Sequence, residues 1–253
     1  MRYRGTPLSV FLLAFLWWRC VDAFVVRPWP GNQQHGSCVA KNIASTALHF
    51  TPPHNIDTSS ISFLGRGPDA IVRPGAVLVA PTDEYNHYLM KSALFVYAMG
   101  TDEYDEPVIR CVVIDNPTPF TMGEMANLKG HLSENLLYRG GNSGGETAMM
   151  LHSVMEMGKE EIGASGIYEG GLEMAKAGDF VVERFKFFFN YCQFSPNELE
   201  SMFDEVNPET GDAWVSLQVP AETILHEWDK NDCWKFLRKV IRERFPIEAQ
   251  LRY

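Results

Sequence analysis

Gly141-Asn142-Ser143-Gly144-Gly145 satisfies the G-x-S-x-G pattern with which hydrolases present a nucleophilic serine. Such a serine needs a histidine as base and an acid to orient it. His87, then Asp105 or Asp115, then Ser143 follow the chain order His, acid, Ser. The segment from His87 to Ser143 is nevertheless too short to complete one barrel of a two-barrel protease and begin a second. In an α/β-hydrolase elbow a helix follows the serine and the base lies later in the chain, which leaves His152 or His226. TAMMLHSV after the glycines reads as a strand, and His226 lies in a polar HEWDK context. The alternative is a glycine-rich loop in which Gly140 and Gly141 serve the backbone and Ser143 is incidental.

Other chemistry-bearing residues have structural explanations. His152 beside an apolar run reads as a core or edge histidine. TDEYDE (101–106) offers carboxylates to a divalent cation but sits where a solvated hairpin tip is expected, and Glu156, Glu160 and Glu161 read the same way. Cys111 in VIRCVVI and Cys192 beside FFFNY read as small buried hydrophobes. With Cys233 they form an odd set without C-x-x-C spacing, which argues against a disulfide framework or a zinc cage. No phosphate loop, dinucleotide fingerprint or HExxH motif occurs, so neither a metal nor a cofactor is expected.

Charge divides the chain of 253 residues in two. Residues 1–56 hold Arg2, Arg4, Arg19, Arg27 and Lys41 against Asp22 alone, so the acidic excess behind the net charge of −10 lies entirely in the remainder. That balance argues against nucleic acid as a partner, because phosphate-backbone binding needs clustered cations. The basic stripe Lys235, Arg238, Lys239, Arg242 and Arg244 reads as the solvated face of a late helix.

The start has the layout of a signal peptide, 1–23: Arg2 and Arg4, the apolar run Leu8–Trp18, then Val21 and Ala23 at a cleavage site. The run is shorter than the roughly twenty residues a spanning helix needs, so no membrane span is expected in the mature chain. Phe24 and an acid-free segment to residue 56 follow. A signal peptide followed at once by phenylalanine and such a segment resembles the bipartite presequence of algae with secondary plastids. That implies the plastid stroma, with secretion as the alternative.

The elements that must hold the loops come next. Residues 57–70 read as a linker, with the domain over 71–245 and a tail over 246–253. IVRPGAVLVA, KSALFVYAM and PVIRCVVID read as strands, TMGEMANL as a short helix, LLYRG, TAMMLHSV and SGIYEGG as strands, and LEMAKA as a short helix. In FVVERFKFFFNYCQF the alternation of Phe185, Phe187, Phe189 and Tyr191 puts four rings on one strand face, with Phe188 on a less covered one. Ser195-Pro196-Asn197-Glu198 is a capping box that opens a helix. AWVSLQV reads as a strand, followed by helices over 221–228 and 232–245, the last with a core stripe of Trp234, Leu237, Ile241 and Phe245. Without regular βαβ alternation, the class expected is α+β: a single domain with a mixed, curved sheet and helices around it.

PGAVLVA, CVVIDNP, LLYRGGNSGG with LHS, SGIYEGG, SPNELE, AWVSL and DCWKFL, in that order, resemble the AlgH/YqgE-like family of bacteria and plastids across about residues 70–245. The resemblance implies a sheet curled into a partial barrel and a domain whose activity is not established. Members usually have Asn-Arg-Pro at Asp115-Asn116-Pro117 and Gly-Gly-Pro at Gly140-Gly141-Asn142. They also usually have Gly-Trp at Gln193-Phe194, then Gly-Gln-Leu-Glu at Asn197-Glu198-Leu199-Glu200. GNSGG is also similar to the serine motif of trypsin-like proteases, including the Deg type of plastids.

The expectation is a non-catalytic binding or regulatory domain whose partner is a protein or small molecule. The binding loops expected are Asp115-Asn116-Pro117, Gly140-Gly141 with Ser143, and Gly170-Gly171. The alternative is a hydrolase using the Gly140–Gly145 loop with Ser143.

Overall fold

The computed structural model describes residues 24–25, 56–126, 128–157 and 160–246. The expected signal peptide, nearly all of the transit-like segment and residues 247–253 of the tail lie outside the described residues. Eleven strands are found among those described: β1 (Phe24–Val25), β2 (Ser62–Arg66), β3 (Ala76–Val79), β4 (Ala93–Thr101), β5 (Pro107–Val113), β6 (Pro117–Thr121), β7 (Leu136–Arg139), β8 (Ser143–His152), β9 (Tyr168–Glu169), β10 (Phe185–Phe194) and β11 (Val215–Gln218). The helices are α1 (Met122–Ala126), α2 (Leu172–Ala177), α3 (Pro196–Asp204), α4 (Ala221–Leu225) and α5 (Asp232–Arg244).

The strands join one open sheet in the order β1-β8-β10-β5-β4-β3-β11-β2, with β7 on β10, β6 on β7 and β9 on β8. Among the described strands only β7 and β10 pair in parallel, so the sheet is mixed. The α+β class is as expected.

β10 organises the fold. Its first part lies between β8 and β7, and its last three residues pair with β5. At the changeover Asn190 adopts φ +60° and the register with β8 shifts between Phe189 and Tyr191. A bulge of this kind bends the strand and resets its side-chain alternation. Phe185 and Phe187 enter one core, formed with α1, α2, β7 and β8, and Phe189 packs against it. Phe188 enters the main core between the β5-β4-β3-β11 part of the sheet and helices α3 to α5, and beyond the bulge Tyr191 and Cys192 both face that core. The expected single face of four rings is therefore corrected. Tyr191 departs from it because of the bulge, and Phe188 is as fully buried as Phe187.

Residues 57–70 differ from a linker. β2 pairs with β11 along Val215–Gln218, and Ile61 is buried. The chain turns there through Gly65 at φ +124° and Gly67 at φ +53°, with the Gly67 amide donating to the Trp214 carbonyl at 2.8 Å. Gly65, Gly67 and Pro68 gave the segment a loop-like composition although Ser62–Arg66, which contains Gly65, is an edge strand. β6 was also unmarked in the sequence. Pro117 and Pro119 interrupt it, which a strand paired only with β7 tolerates.

Both late helices form as local signals dictate. Ser195 accepts from the Glu198 amide, and the Glu198 carboxylate accepts from the Ser195 amide at 2.7 Å. On α5, Trp234, Leu237 and Ile241 are buried, as are Cys233, Phe236 and Val240. The basic stripe is corrected at Arg238, which is buried and ion-paired with Asp212, while Lys235, Lys239, Arg242 and Arg244 are exposed. Cys111, Cys192 and Cys233 are free and buried. No helix among the described residues is long and apolar enough to cross a membrane.

Candidate functional site

The chain leaving β7 crosses β10 at its bulge, and the crossing demands glycine. The Gly140 amide donates to the Phe189 carbonyl at 2.8 Å, and the Gly140 carbonyl accepts from the Val113 amide at 2.9 Å. A Cβ on Gly140 would lie 2.4 Å from the Asn190 carbonyl oxygen, and one on Gly141 would lie 2.1 Å from the Tyr191 carbonyl carbon. Neither glycine has a positive φ, unlike Gly144 and Gly145, so close approach of backbones and not turn geometry excludes a side chain at 140 and 141.

This crossing is stitched to the loop before β6. The Arg139 amide donates to the Asn116 carbonyl at 2.9 Å, and the Arg139 Nε donates to the Gly141 carbonyl at 3.3 Å. Asn116, Pro117, Gly141 and Ser143 thereby line one cleft of about 780 Å³. His87, Arg139, Asn142 and Asn190 share its lining, as does Lys230 from the loop before α5. Two of the three loops expected to form a site do come together.

Asp115 lies behind the wall, not in it. Its side chain is 1% exposed, and Oδ2 accepts from the Trp234 amide at 2.9 Å. Its carbonyl accepts from the Asn231 amide at 3.0 Å, so Asp115 holds the start of α5 against the 116–119 loop. Burial pushes its pKa up to about 7, against the opposing pull of the Trp234 amide and the Lys186 charge. Lys186 is sealed nearby and donates to the carbonyls of Ile114, Ile224 and His226 at 2.7, 3.2 and 2.6 Å, with Nζ 4.0 Å from the centre of the Tyr138 ring. Burial pushes its pKa down to about 7. The three carbonyls match the three N–H groups of an ammonium, and the arrangement is a clasp between β10, β5 and α4.

Gly140 backs the cleft without lining it. Gly170 and Gly171 lie elsewhere: the Gly170 amide donates to the Met150 carbonyl at 2.9 Å, and Gly171 caps α2 at φ +79°. They shape the β9–α2 turn.

Ser143 has no histidine hydrogen-bonded to it among the described residues. His152 is at the opposite end of the same strand, nine residues away at roughly 3.3 Å each, where its Nδ1 accepts from the Val154 amide at 3.1 Å and its ring stacks on Tyr168. Asp105 is at the exposed β4–β5 tip, where Asp102 closes the turn by accepting from the amides of Tyr104 and Glu106. Glu161 accepts from the Gly166 amide in its own loop. No group of three candidate metal ligands occurs among the described residues.

Arg139 and Asn190 are lining residues that sequence reasoning did not single out. Each had a signal: Arg139 immediately precedes the Gly-Gly crossing, and Asn190 interrupts an aromatic run with a residue type that tolerates positive φ.

No protein-family profile and no curated protein matches the chain by sequence. Among solved structures, the crystal structure of protein DIP2367 from Corynebacterium diphtheriae aligns with a TM-score of 0.50 at 17% identity, over 74% of this chain and 93% of that one. The two proteins share a fold. The solution structure of the AlgH protein from Pseudomonas aeruginosa aligns with a TM-score of 0.46 at 14% identity, over 71% of this chain and 93% of that one. In this chain the fold shared with DIP2367 is an open mixed sheet with helices packed around it.

Proposed function

We propose that this chain is a non-catalytic binding domain of the AlgH/YqgE-like type, which takes a small polar ligand or a short polar segment of a partner protein into the cleft beside the Gly140-Gly141 crossing. The reading rests on one observation: two backbone-rigid loops and the β10 bulge converge on a cavity in which Asn116, Asn142 and Asn190 stand beside Arg139. Amides offer paired donors and acceptors and a guanidinium offers a fork, a lining suited to fixing a polar ligand by orientation. A bound ligand should be recoverable from extract by native mass spectrometry. Losing a hydrogen bond to a charged group costs about 1.5–3 kcal/mol, so Arg139→Ala should weaken its affinity roughly 10- to 150-fold. Ser143→Ala should leave the affinity unchanged.

The hydrolase reading has one observation in its favour, that His87 and Ser143 line the same cleft. A fluorophosphonate that labels the folded protein, and no longer labels Ser143→Ala, would replace the binding reading with it.

We further infer the plastid stroma of an alga with secondary plastids as the site of action, from the Ala23-Phe24 junction and the acid-free stretch behind it. Residues 1–56 fused to a fluorescent reporter should label the plastid, and Phe24→Ala should leave the reporter outside it. Secretion of the unaltered fusion would favour the alternative address.

A further inference from the structure

A second cavity, of about 510 Å³, shares no lining residue with the first. It lies where β2 ends, between the turns at 82–83 and 207–212 and one face of α5. Arg66 closes one side, and Arg238 and Arg242, one helical turn apart on α5, close another. In a chain of net charge −10, three guanidinium groups around one concavity are unusual.

Their charges are incompletely answered. Asp212 is fully engaged: Oδ1 accepts from Arg238 Nη2 and Oδ2 from the Thr82 amide at 2.9 Å. Asp83 is occupied by the Asn207 side-chain amide. Arg66 uses only Nη2, which donates to the Phe245 carbonyl at 3.1 Å. Among the described residues no partner meets Arg66 Nε or Nη1, or Arg238 Nη1, although all three atoms are buried. Arg238 itself is 9% exposed. Burial, followed by the Arg238 charge, holds the Arg66 pKa below its ordinary value, against the pull of Asp212. Two guanidiniums therefore repel each other across a cavity whose two carboxylates, Asp212 and Asp83, pair with only one of them, Asp212 with Arg238. Buried N–H groups without acceptors are costly, and turning these guanidiniums toward an anion in the cavity would supply the missing oxygens.

We infer that this cavity is a binding site for a small oxyanion, a phosphate or carboxylate group held between Arg66 and Arg238 with Arg242 at the rim. The planar fork of arginine matches the paired oxygens of either group, whereas a metal cation would meet three positive charges. The site is independent of the ligand assigned to the first cleft.

Thermal unfolding of the full chain in sodium phosphate, sodium acetate and sodium chloride at equal ionic strength tests it. Phosphate, acetate or both should raise the melting temperature saturably, by about 5–11 °C once the anion is a hundredfold above its dissociation constant. Chloride should not, and the more effective anion names the group. Arg66→Gln and Arg242→Gln should each remove most of the rise, and Arg242 is exposed, so that variant folds whether or not Arg66→Gln does. Two results would overturn the site: phosphate and acetate both tracking chloride, or a rise that survives in the folded variants.

Discussion

Gly141→Ala should lower the melting temperature by roughly 6–12 °C, while Gly100→Ala leaves it nearly unchanged. A methyl group on Gly141 would lie 2.1 Å from the Tyr191 carbonyl carbon, 2.2 Å from its oxygen and 2.4 Å from the Cys192 nitrogen. All three are backbone atoms, so no side chain can rotate away, and β10 must move off the crossing strand. Overpacking costs about 1–3 kcal/mol in ordinary cores. A contact that only a backbone shift relieves belongs at the upper end, and about 3 kcal/mol corresponds to that fall in a chain of this size. Gly100 lies near the exposed end of β4 with nothing within 4 Å of an added Cβ. Alanine there also reduces the freedom of the unfolded chain, a small gain of about 0.4–1 kcal/mol. Similar small changes at both positions, measured by calorimetry, would mean that the two backbones do not pass so closely.

Phe187→Ala and Phe188→Ala should each destabilise the protein by about 3–5 kcal/mol in urea titrations. Both side chains are fully buried, but they fill different cores: Phe187 packs with Leu137, Met150 and Leu172, and Phe188 with the larger cluster that holds Tyr138, Val112 and Leu237. Strand alternation alone placed Phe188 on the cheaper face, and the second core reverses that expectation. Phe189→Ala, at a position only half-buried, is the internal comparison and should cost less. A Phe188→Ala cost no greater than that of Phe189→Ala would show that the face carrying Phe188 is not a core.

Local signals in the sequence were sufficient where the physics is local. The Ser195–Glu198 capping box set the start of α3, the spacing of Trp234, Leu237 and Ile241 set the buried face of α5, and the Asp-rich TDEYDE marked the tip of the β4–β5 hairpin. The Gly-Gly pair announced a place without room for side chains. What the sequence left open depends on contacts between distant segments. β10 meets β5, β7 and β8, and only those pairings decide that its alternation breaks at Asn190, that both its faces are buried, and that the loops at 116–117 and 139–143 share a cleft. The same long-range packing buries Asp115 beneath that cleft and sets Arg66 beside Arg238 at the other cavity, although 172 positions separate the two arginines in the chain. Periodicity and capping fix which face an element hides, because neighbours along the chain set them. Which strands meet across the sheet is decided by the whole core at once, and the candidate sites lie where those strands cross.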